Sequence, residues 1–115
     1  MAISELEIRK CKKAAEEFLS KRRPPPHVRM ELDLSYRIKD QSIEIFEIRS
    51  QWDNKEKKIE IPVAKSTYIK TRKIWKVYWQ RQDLKWHGYE PNLNVRTVEE
   101  FFEIVDRDEH ACFFG

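Results

Sequence analysis

The first part of the chain carries its apolar side chains at the spacing of an amphipathic helix. Ser4 and Glu7 form a capping-box pattern, in which the serine hydroxyl accepts the N–H of the third helical residue. Three prolines at 24–26 end the helix, because proline disfavours the helical conformation in the residue before it. The predicted buried stripe comprises Ile8, Cys11, Ala15, Phe18, Leu19 and Arg22. We therefore expect Cys11 to be an inert core thiol.

From Val28 the apolar period changes from about 3.6 to about 2 residues. Residues 28–39 alternate apolar and polar side chains, which predicts a half-buried strand, and residues 39–42 form a turn. In the next strand the apolar phase slips by one residue between Ile45 and Phe46. We expect a β-bulge there that keeps both residues on the core side.

The middle of the chain predicts a short third strand at residues 59–63, after a turn at residues 53–56. Pro62 favours an edge position for this strand, because proline cannot donate to a ladder. Residues 65–73 fit a loop or a ragged strand equally well.

A hairpin is predicted between residues 74–81 and 84–89, with its turn at Gln82 and Asp83. Pairing that keeps the apolar residues on one face sets Trp79 opposite Trp86 in the core. The same pairing exposes Lys76, Tyr78, Lys85, His87 and Tyr89 on the other face.

The end of the chain predicts a second, shorter helix. Thr97 and Glu100 repeat the capping box, and the pattern ends near Arg107. Its apolar stripe comprises Val98, Phe101, Phe102 and Val105. The apolar tail at residues 110–115 is expected to pack onto the core.

These elements predict a single α+β domain over residues 1–115: an N-terminal helix, an antiparallel meander of about five strands and a short C-terminal helix. No helical segment separates two strands, so the crossovers that parallel strands need are missing from the pattern. Alternation along the strands requires one covered and one open face. We expect both helices to pack on one face.

The composition agrees with a folded cytoplasmic protein. Of the 115 residues, 40% are hydrophobic and 37% are charged, which suffices for a core. No uncharged stretch is long enough for a transmembrane helix or a signal peptide, so we expect no membrane association. Two cysteines without a secretion signal point to a reducing compartment, where a disulfide is not expected.

Three segments of the C-terminal half form a distinctive combination: residues 75–79, residues 83–91 with Trp-His-Gly-Tyr-Glu-Pro, and residues 98–115 with the ending Cys-Phe-Phe-Gly. With the leading helix and hairpin, they resemble the small bacterial family catalogued as domain of unknown function 3024 over nearly the whole chain. The resemblance implies a stand-alone bacterial protein. It transfers no catalytic, ligand-binding or cofactor-binding residue.

The charge is unevenly distributed, and this gives the strongest candidate for function. Residues 65–89 carry 7 basic and 1 acidic side chains with six aromatic ones, whereas residues 90–115 carry 2 basic and 7 acidic. Nucleic-acid binders combine cations that neutralise phosphates with aromatic rings on which bases stack. We therefore predict a non-enzymatic nucleic-acid-binding face, formed by Lys70, Arg72, Lys73, Lys76, Tyr78, Lys85, His87 and Tyr89.

A protein-interaction or homo-oligomeric module is the alternative interpretation. The basic segment 65–89 can pair with the acidic segment 90–115 within the fold, which would remove the positive patch, or across the two-fold axis of a homodimer. The strand edge at residues 59–63 is a candidate docking edge for a protein partner.

A metal-dependent nuclease is the third interpretation. Asp33 and Glu47 lie on successive strands with the spacing of Mg²⁺-binding carboxylates, and the bulge is expected to set them opposite each other. Arg49 stands where such nucleases use lysine. The histidines and cysteines lack zinc-ligand spacing, and two glycines are too few for a phosphate-binding loop. We predict no cofactor and favour a binding module over an enzyme.

Overall fold

The computed structural model describes residues 3–54 and 56–114, so Lys55 in the predicted second turn and Gly115 in the tail lie outside the described residues. It has the predicted α+β architecture, with an antiparallel sheet of six strands rather than about five. The elements are α1 (Glu5–Arg22), β1 (Leu32–Lys39), β2 (Ser42–Ser50), β3 (Lys58–Ile69), β4 (Ile74–Gln80), β5 (Trp86–Gly88), β6 (Asn94–Val95) and α2 (Val98–Arg107). The strands follow the order β1-β2-β3-β4-β5, and β6 also pairs with β4.

Both helices begin at the predicted caps. The Ser4 hydroxyl accepts the N–H of Glu7 at 3.2 Å, and the Thr97 hydroxyl accepts the N–H of Glu100 at 3.2 Å. Each cap satisfies one of the backbone donors that have no partner inside the helix. The two helices pack together on one sheet face, where the rings of Phe18 in α1 and Phe102 in α2 lie 5.2 Å apart.

The first strand begins later than predicted, at Leu32 rather than at Val28. The prolines lead into a short 3₁₀ turn at Pro26–Val28, in which the Val28 N–H donates to the Pro25 carbonyl at 3.0 Å. The Arg29 guanidinium holds this turn by donating to the Pro24 carbonyl at 2.8 Å. Local hydrogen bonds thus override the alternating pattern at the start of the strand.

The β-bulge lies where the phase slip predicted it, but the extra residue belongs to β3. Ile45 pairs with Ala64 and Phe46 with Pro62, so Val63 has no partner in β2. Because β2 keeps a regular register with β1, Phe46 lies on the face opposite Ile45. The expectation that both residues face the core is therefore wrong.

The third strand is much longer than predicted and includes most of the ambiguous segment 65–73. Over Ala64 to Ile69 it lies between β2 and β4, and residues 70–73 form the turn. Residues 58–62 pair with β2 alone. The edge position predicted from Pro62 therefore holds for this half of β3 only.

The hairpin of β4 and β5 has a register one residue away from the predicted one. Trp79 pairs with His87, and Gln80 pairs with Trp86. The turn contains three residues rather than two, because Leu84 adopts a left-handed conformation with φ 63°. The Asp83 carboxylate supports this turn by accepting the Lys85 N–H at 3.0 Å. A shift of one residue moves every β5 side chain to the other face.

The core lies between the helices and one sheet face. It includes Trp75 and Val77 of β4, which are 1% and 0% exposed, and Trp79 packs at its margin. The tail closes this core, because Phe113 is buried with its ring 4.9 Å from that of Tyr89. The expected packing of the tail is thus observed for the part of it that the structure describes.

Candidate nucleic-acid interface

The sheet face opposite the two helices carries the cationic and aromatic side chains of interest. In the observed register, Arg37, Glu44, Lys65 and Tyr78 lie directly opposite one another across β1 to β4. Directly paired residues of antiparallel strands project to the same side, so these four side chains form a row across this open face.

Two aromatic rings lie near Lys65, the lysine of this row. The Lys65 Nζ atom lies 5.8 Å from the Tyr78 ring centre and 5.6 Å from the Trp86 ring centre, within the range of cation–π attraction. Gly88 lies opposite Tyr78 on β5, so Trp86 is a diagonal neighbour of the tyrosine. All three side chains are half-buried, with part of each surface open to solvent.

Further cations continue from this group toward one end of the sheet. Lys76 precedes Tyr78 by two residues on the same strand, shares its face and is exposed. Lys70, Arg72 and Lys73 are exposed in the adjacent β3–β4 turn. The structure thus brings five of the eight predicted residues to one connected region: Lys70, Arg72, Lys73, Lys76 and Tyr78.

The other three predicted residues lie elsewhere. Lys85 is exposed in the β4–β5 turn, and His87 projects to the face opposite Tyr78 because of the shifted register. His87 Nε2 lies 2.8 Å from Asp83 Oδ2. The Lys85 N–H and the His87 ring lower the pKa of the Asp83 carboxyl. The prediction that Tyr89 is exposed is wrong: it is 2% exposed, and burial raises its pKa.

Sequence reasoning missed two residues of the open face, Lys65 and Trp86. Lys65 lies in the segment 65–73, which has no clear period, and the apolar character of Trp86 predicts a place in the core. One sequence signal for its true position was Asp83, since an aspartate before the second strand can accept the turn N–H and lengthen the turn.

The basic and acidic segments form separate salt bridges among the described residues. Among the described residues, no salt bridge joins a lysine or arginine of 65–89 to an acid of 90–115. Asp106 of α2 pairs instead with Arg22 of α1, at 3.0 Å. On the open face, Glu44 lies between Lys65 and Arg37, so the cations described above belong to β3, β4 and the turn between them.

The carboxylates of the nuclease interpretation do not meet. Asp33 pairs in register with Ile48, and Glu47 pairs with Leu34, so the two acids project to opposite faces. The expected juxtaposition of Asp33 and Glu47 is therefore wrong. The Arg23 guanidinium binds Asp33 through both carboxylate oxygens at 2.8 Å and lowers its pKa. In residues 3–54 and 56–114, no three His, Cys, Asp or Glu side chains cluster as metal ligands.

The thiols lie away from the open face. Cys11 is fully buried in the core, and burial raises its pKa to about 12. Cys112 is half-buried beside a cavity of about 370 Å³ that Arg81 and His87 also line, and burial raises its pKa as well. Raised pKa values disfavour thiolates, so neither thiol is activated as a nucleophile.

Comparison with known proteins supplies a family. The model of the family described as Domain of unknown function (DUF3024) matches residues 3–115. The chain belongs to this family. The DUF3024 match confirms the resemblance found in the sequence and assigns no role to any residue. Comparisons with curated proteins and with solved structures gave no match.

The distinctive DUF3024-like segments of this chain meet in the structure. Trp75 and Tyr89 come from the first two segments, and Phe113 comes from the third; all three are buried in the same core. In this DUF3024 chain the residues that carry the resemblance therefore include core residues. Among the described residues, no helix is long and apolar enough to span a membrane.

Proposed function

We propose that the open face of β3, β4 and β5 binds single-stranded nucleic acid without an enzymatic reaction. The observation that carries the proposal is the position of Lys65 between the rings of Tyr78 and Trp86, on the face that the helices leave uncovered. Single-strand binders combine this pairing of cations with aromatic rings on a sheet surface.

The aromatic side chains would supply the stacking contacts. Tyr78 and Trp86 occupy diagonal positions on neighbouring strands, where the two residues are about 7–8 Å apart. Their rings can therefore contact separate bases. Each stacked base contributes about 1–3 kcal/mol, largely regardless of its identity, so we expect weak sequence preference.

The lysines would supply the phosphate contacts. Lys65 and Lys76 flank Tyr78, and the turn cations Lys70, Arg72 and Lys73 extend the positive region past the end of the strands. Phosphate neutralisation releases counterions, so affinity must fall steeply as salt rises. Duplex bases are already stacked and paired, so stacking on these rings favours a single strand over a duplex.

The test is fluorescence anisotropy of labelled single-stranded DNA and RNA, with a duplex for comparison, between about 50 and 200 mM salt. Trp86→Ala should weaken single-strand binding by roughly 5- to 150-fold, the equivalent of about 1–3 kcal/mol of lost stacking. Lys76→Glu should weaken binding and also reduce its salt dependence.

Lys12→Glu is the matched control for Lys76→Glu. It makes the same charge change at an exposed position of α1, on the other side of the molecule, and should leave binding close to that of the unmodified protein. Equal losses in the two lysine variants would mean that net charge alone attracts the oligonucleotide. No binding at low salt would refute the proposal.

A further inference from the structure

A pocket of about 290 Å³ lies at the end of the sheet where both helices begin, and we call it the end pocket. Its walls are the first two turns of α1, the start of α2, and the neighbouring ends of β3 and β4 with Tyr68, Lys73 and Trp75. The volume is roughly ten times the share of one water molecule in the liquid. The end pocket is therefore large enough for a small organic ligand.

A buried donor without a partner opens into the end pocket. Trp75 lines the pocket and is only 1% exposed. Within residues 3–54 and 56–114, its indole N–H donates no hydrogen bond. In the same ranges, no side-chain nitrogen or oxygen is both sealed from solvent and unpaired. The small accessible surface of Trp75 therefore includes this N–H, which can donate only to a molecule in the pocket.

Two cations without an acidic partner border the end pocket. Lys73 ends the β3–β4 turn, two residues before Trp75. Arg96 directly follows Val95, which pairs with Trp75 in the ladder of β4 and β6. Among the described residues, neither Lys73 nor Arg96 forms a salt bridge. Both are exposed, so each can turn toward a ligand in the pocket.

The start of α2 adds backbone donors to the same pocket. The Thr97 hydroxyl accepts the N–H of Glu100, which leaves the N–H groups of Val98 and Glu99 without a partner inside the helix. Thr97, Val98 and Glu99 all line the end pocket. The partial positive charge at a helix N-terminus favours an anion there.

Two acids also line the end pocket, and they leave an excess of positive charge. Glu7 Oε1 lies 3.9 Å from Lys10 Nζ, so these two charges offset each other. Glu99 is exposed and also lines the groove between α1 and α2, so it lies at the rim that the two sites share. The cations Lys73 and Arg96 therefore outnumber the one remaining acid.

We propose that the end pocket binds a phosphate monoester group. The donors come from three parts of the chain: the Trp75 indole of β4, the Lys73 side chain of the turn, and Arg96 with the first N–H groups of α2. A phosphate monoester offers three terminal oxygens and nearly two negative charges, so it can accept from all of them. A carboxylate has two oxygens and one charge, and it would satisfy fewer donors. The organic part of the ligand would lie against the Tyr68 ring, which is 5.1 Å from that of Trp75.

Heteronuclear NMR of the four indole N–H groups tests the site, with inorganic phosphate and ribose 5-phosphate as probes and chloride at equal ionic strength as the control. The assigned Trp75 signal should shift and saturate with each phosphate probe, because its N–H gains an acceptor. The signal of Trp52, which is 94% exposed, should not move. Acetate should bind more weakly than phosphate. A Trp75 signal that does not shift, or equal affinity for acetate, would overturn the proposal.

Charge variants test the two sides of the electrostatic argument. Arg96→Gln should weaken ribose 5-phosphate binding roughly tenfold, because it removes a charge-assisted hydrogen bond. Arg72→Gln is the matched control, since it makes the same change in the exposed β3–β4 turn outside the pocket. Glu99→Gln should tighten binding, because it removes the unpaired acid. Equal losses in the two arginine variants, or weaker binding in Glu99→Gln, would contradict the proposal.

Phosphate monoester groups occur on free sugar phosphates and at the phosphorylated end of a nucleic-acid strand. A further arm separates these sources by comparing one oligonucleotide with and without a 5′-phosphate. A Trp75 shift with the phosphorylated strand alone supports a strand end as ligand, and a shift with ribose 5-phosphate alone supports a free small molecule. Equal shifts with both strands would overturn the choice of a monoester. Inorganic phosphate and ribose 5-phosphate contain no nucleic-acid strand, so this proposal and that for the open face fail independently.

Discussion

The Asp108 carboxylate accepts the backbone N–H of Phe113 at 3.0 Å through Oδ1. Its other oxygen, Oδ2, accepts the N–H of Phe114 at 2.9 Å. Asp108 ends α2 in a left-handed conformation with φ 43°, which turns the chain back toward the core. Phe113 then packs against Tyr89, and Phe114 stacks on Phe18. One side chain therefore holds the tail of the protein in place.

Asp108→Ala should destabilise the protein by about 2–4 kcal/mol, because it removes an ionised acceptor from two backbone donors. Chemical denaturation followed by circular dichroism measures the loss. Glu109→Ala, at the exposed neighbouring position, should change stability by less than about 0.5 kcal/mol. Asp108→Gly separates the effect of the left-handed backbone from the effect of the lost hydrogen bonds. Glycine adopts this conformation without strain, but it has no carboxylate to accept the N–H groups of the tail. If the glycine variant is as stable as the unmodified protein, the carboxylate has no such role.

Much of the fold could be predicted because its signals are local. Each capping box involves residues three apart in sequence, such as Ser4 and Glu7, and at both helices the cap hydroxyl accepts the expected backbone N–H. The alternation of apolar and polar side chains in β1 is likewise a local signal, because it arises whenever one face of a sheet is buried. The phase slip at Ile45 and Phe46 located the bulge, but the strand that contains the extra residue depends on pairing between β2 and β3.

The candidate site is harder to predict, because the length of the β4–β5 turn decides which side chains of β5 project to the open face. Whether Trp86 lies in the core or on the open face depends on one residue, Leu84, which adopts a conformation that leucine rarely takes. The Asp83 carboxylate favours a three-residue turn because it accepts the Lys85 N–H. The hydrophobicity of Trp79 and Trp86 favours a two-residue turn instead, because that turn would place both rings in the core. Tyr89 follows the same turn, and its burial depends on a tail more than 20 residues later in the chain.

Substitution of Tyr89 by alanine should cost much more stability than the same substitution of Tyr78. Tyr89→Ala removes a buried ring from the core and should cost about 3–5 kcal/mol of stability. Tyr78→Ala removes a half-buried ring from the open face and should cost clearly less, while weakening oligonucleotide binding. Urea denaturation measures the stability of both variants, and fluorescence anisotropy measures their oligonucleotide binding. Equal stability losses would contradict the assignment of the two tyrosines to different faces.

The two thiols should react at very different rates with a disulfide reagent at about pH 8. Cys112 is half-buried and should react first, whereas Cys11 is fully buried with a pKa near 12 and should react only when the protein opens. Cys112→Ser should remove the fast phase and leave the slow one. Guanidinium should make both thiols of the unmodified protein react rapidly. A fast phase that persists in Cys112→Ser would show that Cys11 is accessible.

Asp33 and Arg23 should lose their coupling in acid. The Arg23 guanidinium lowers the pKa of the Asp33 carboxyl in the folded state, so the unfolded state binds more protons near its own pKa of about 3.9. The stabilisation is present above that pH and is lost as the pH falls through the lowered pKa of the folded state. A double-mutant cycle of Asp33→Asn and Arg23→Ala, measured by urea denaturation, should give favourable coupling at neutral pH that disappears in acid.

Arg23→Lys is the control: it keeps the charge but loses the two-point contact, and its coupling should be smaller with the same pH dependence. Coupling that is unchanged between neutral and acid pH would show that the ion pair does not set this pKa.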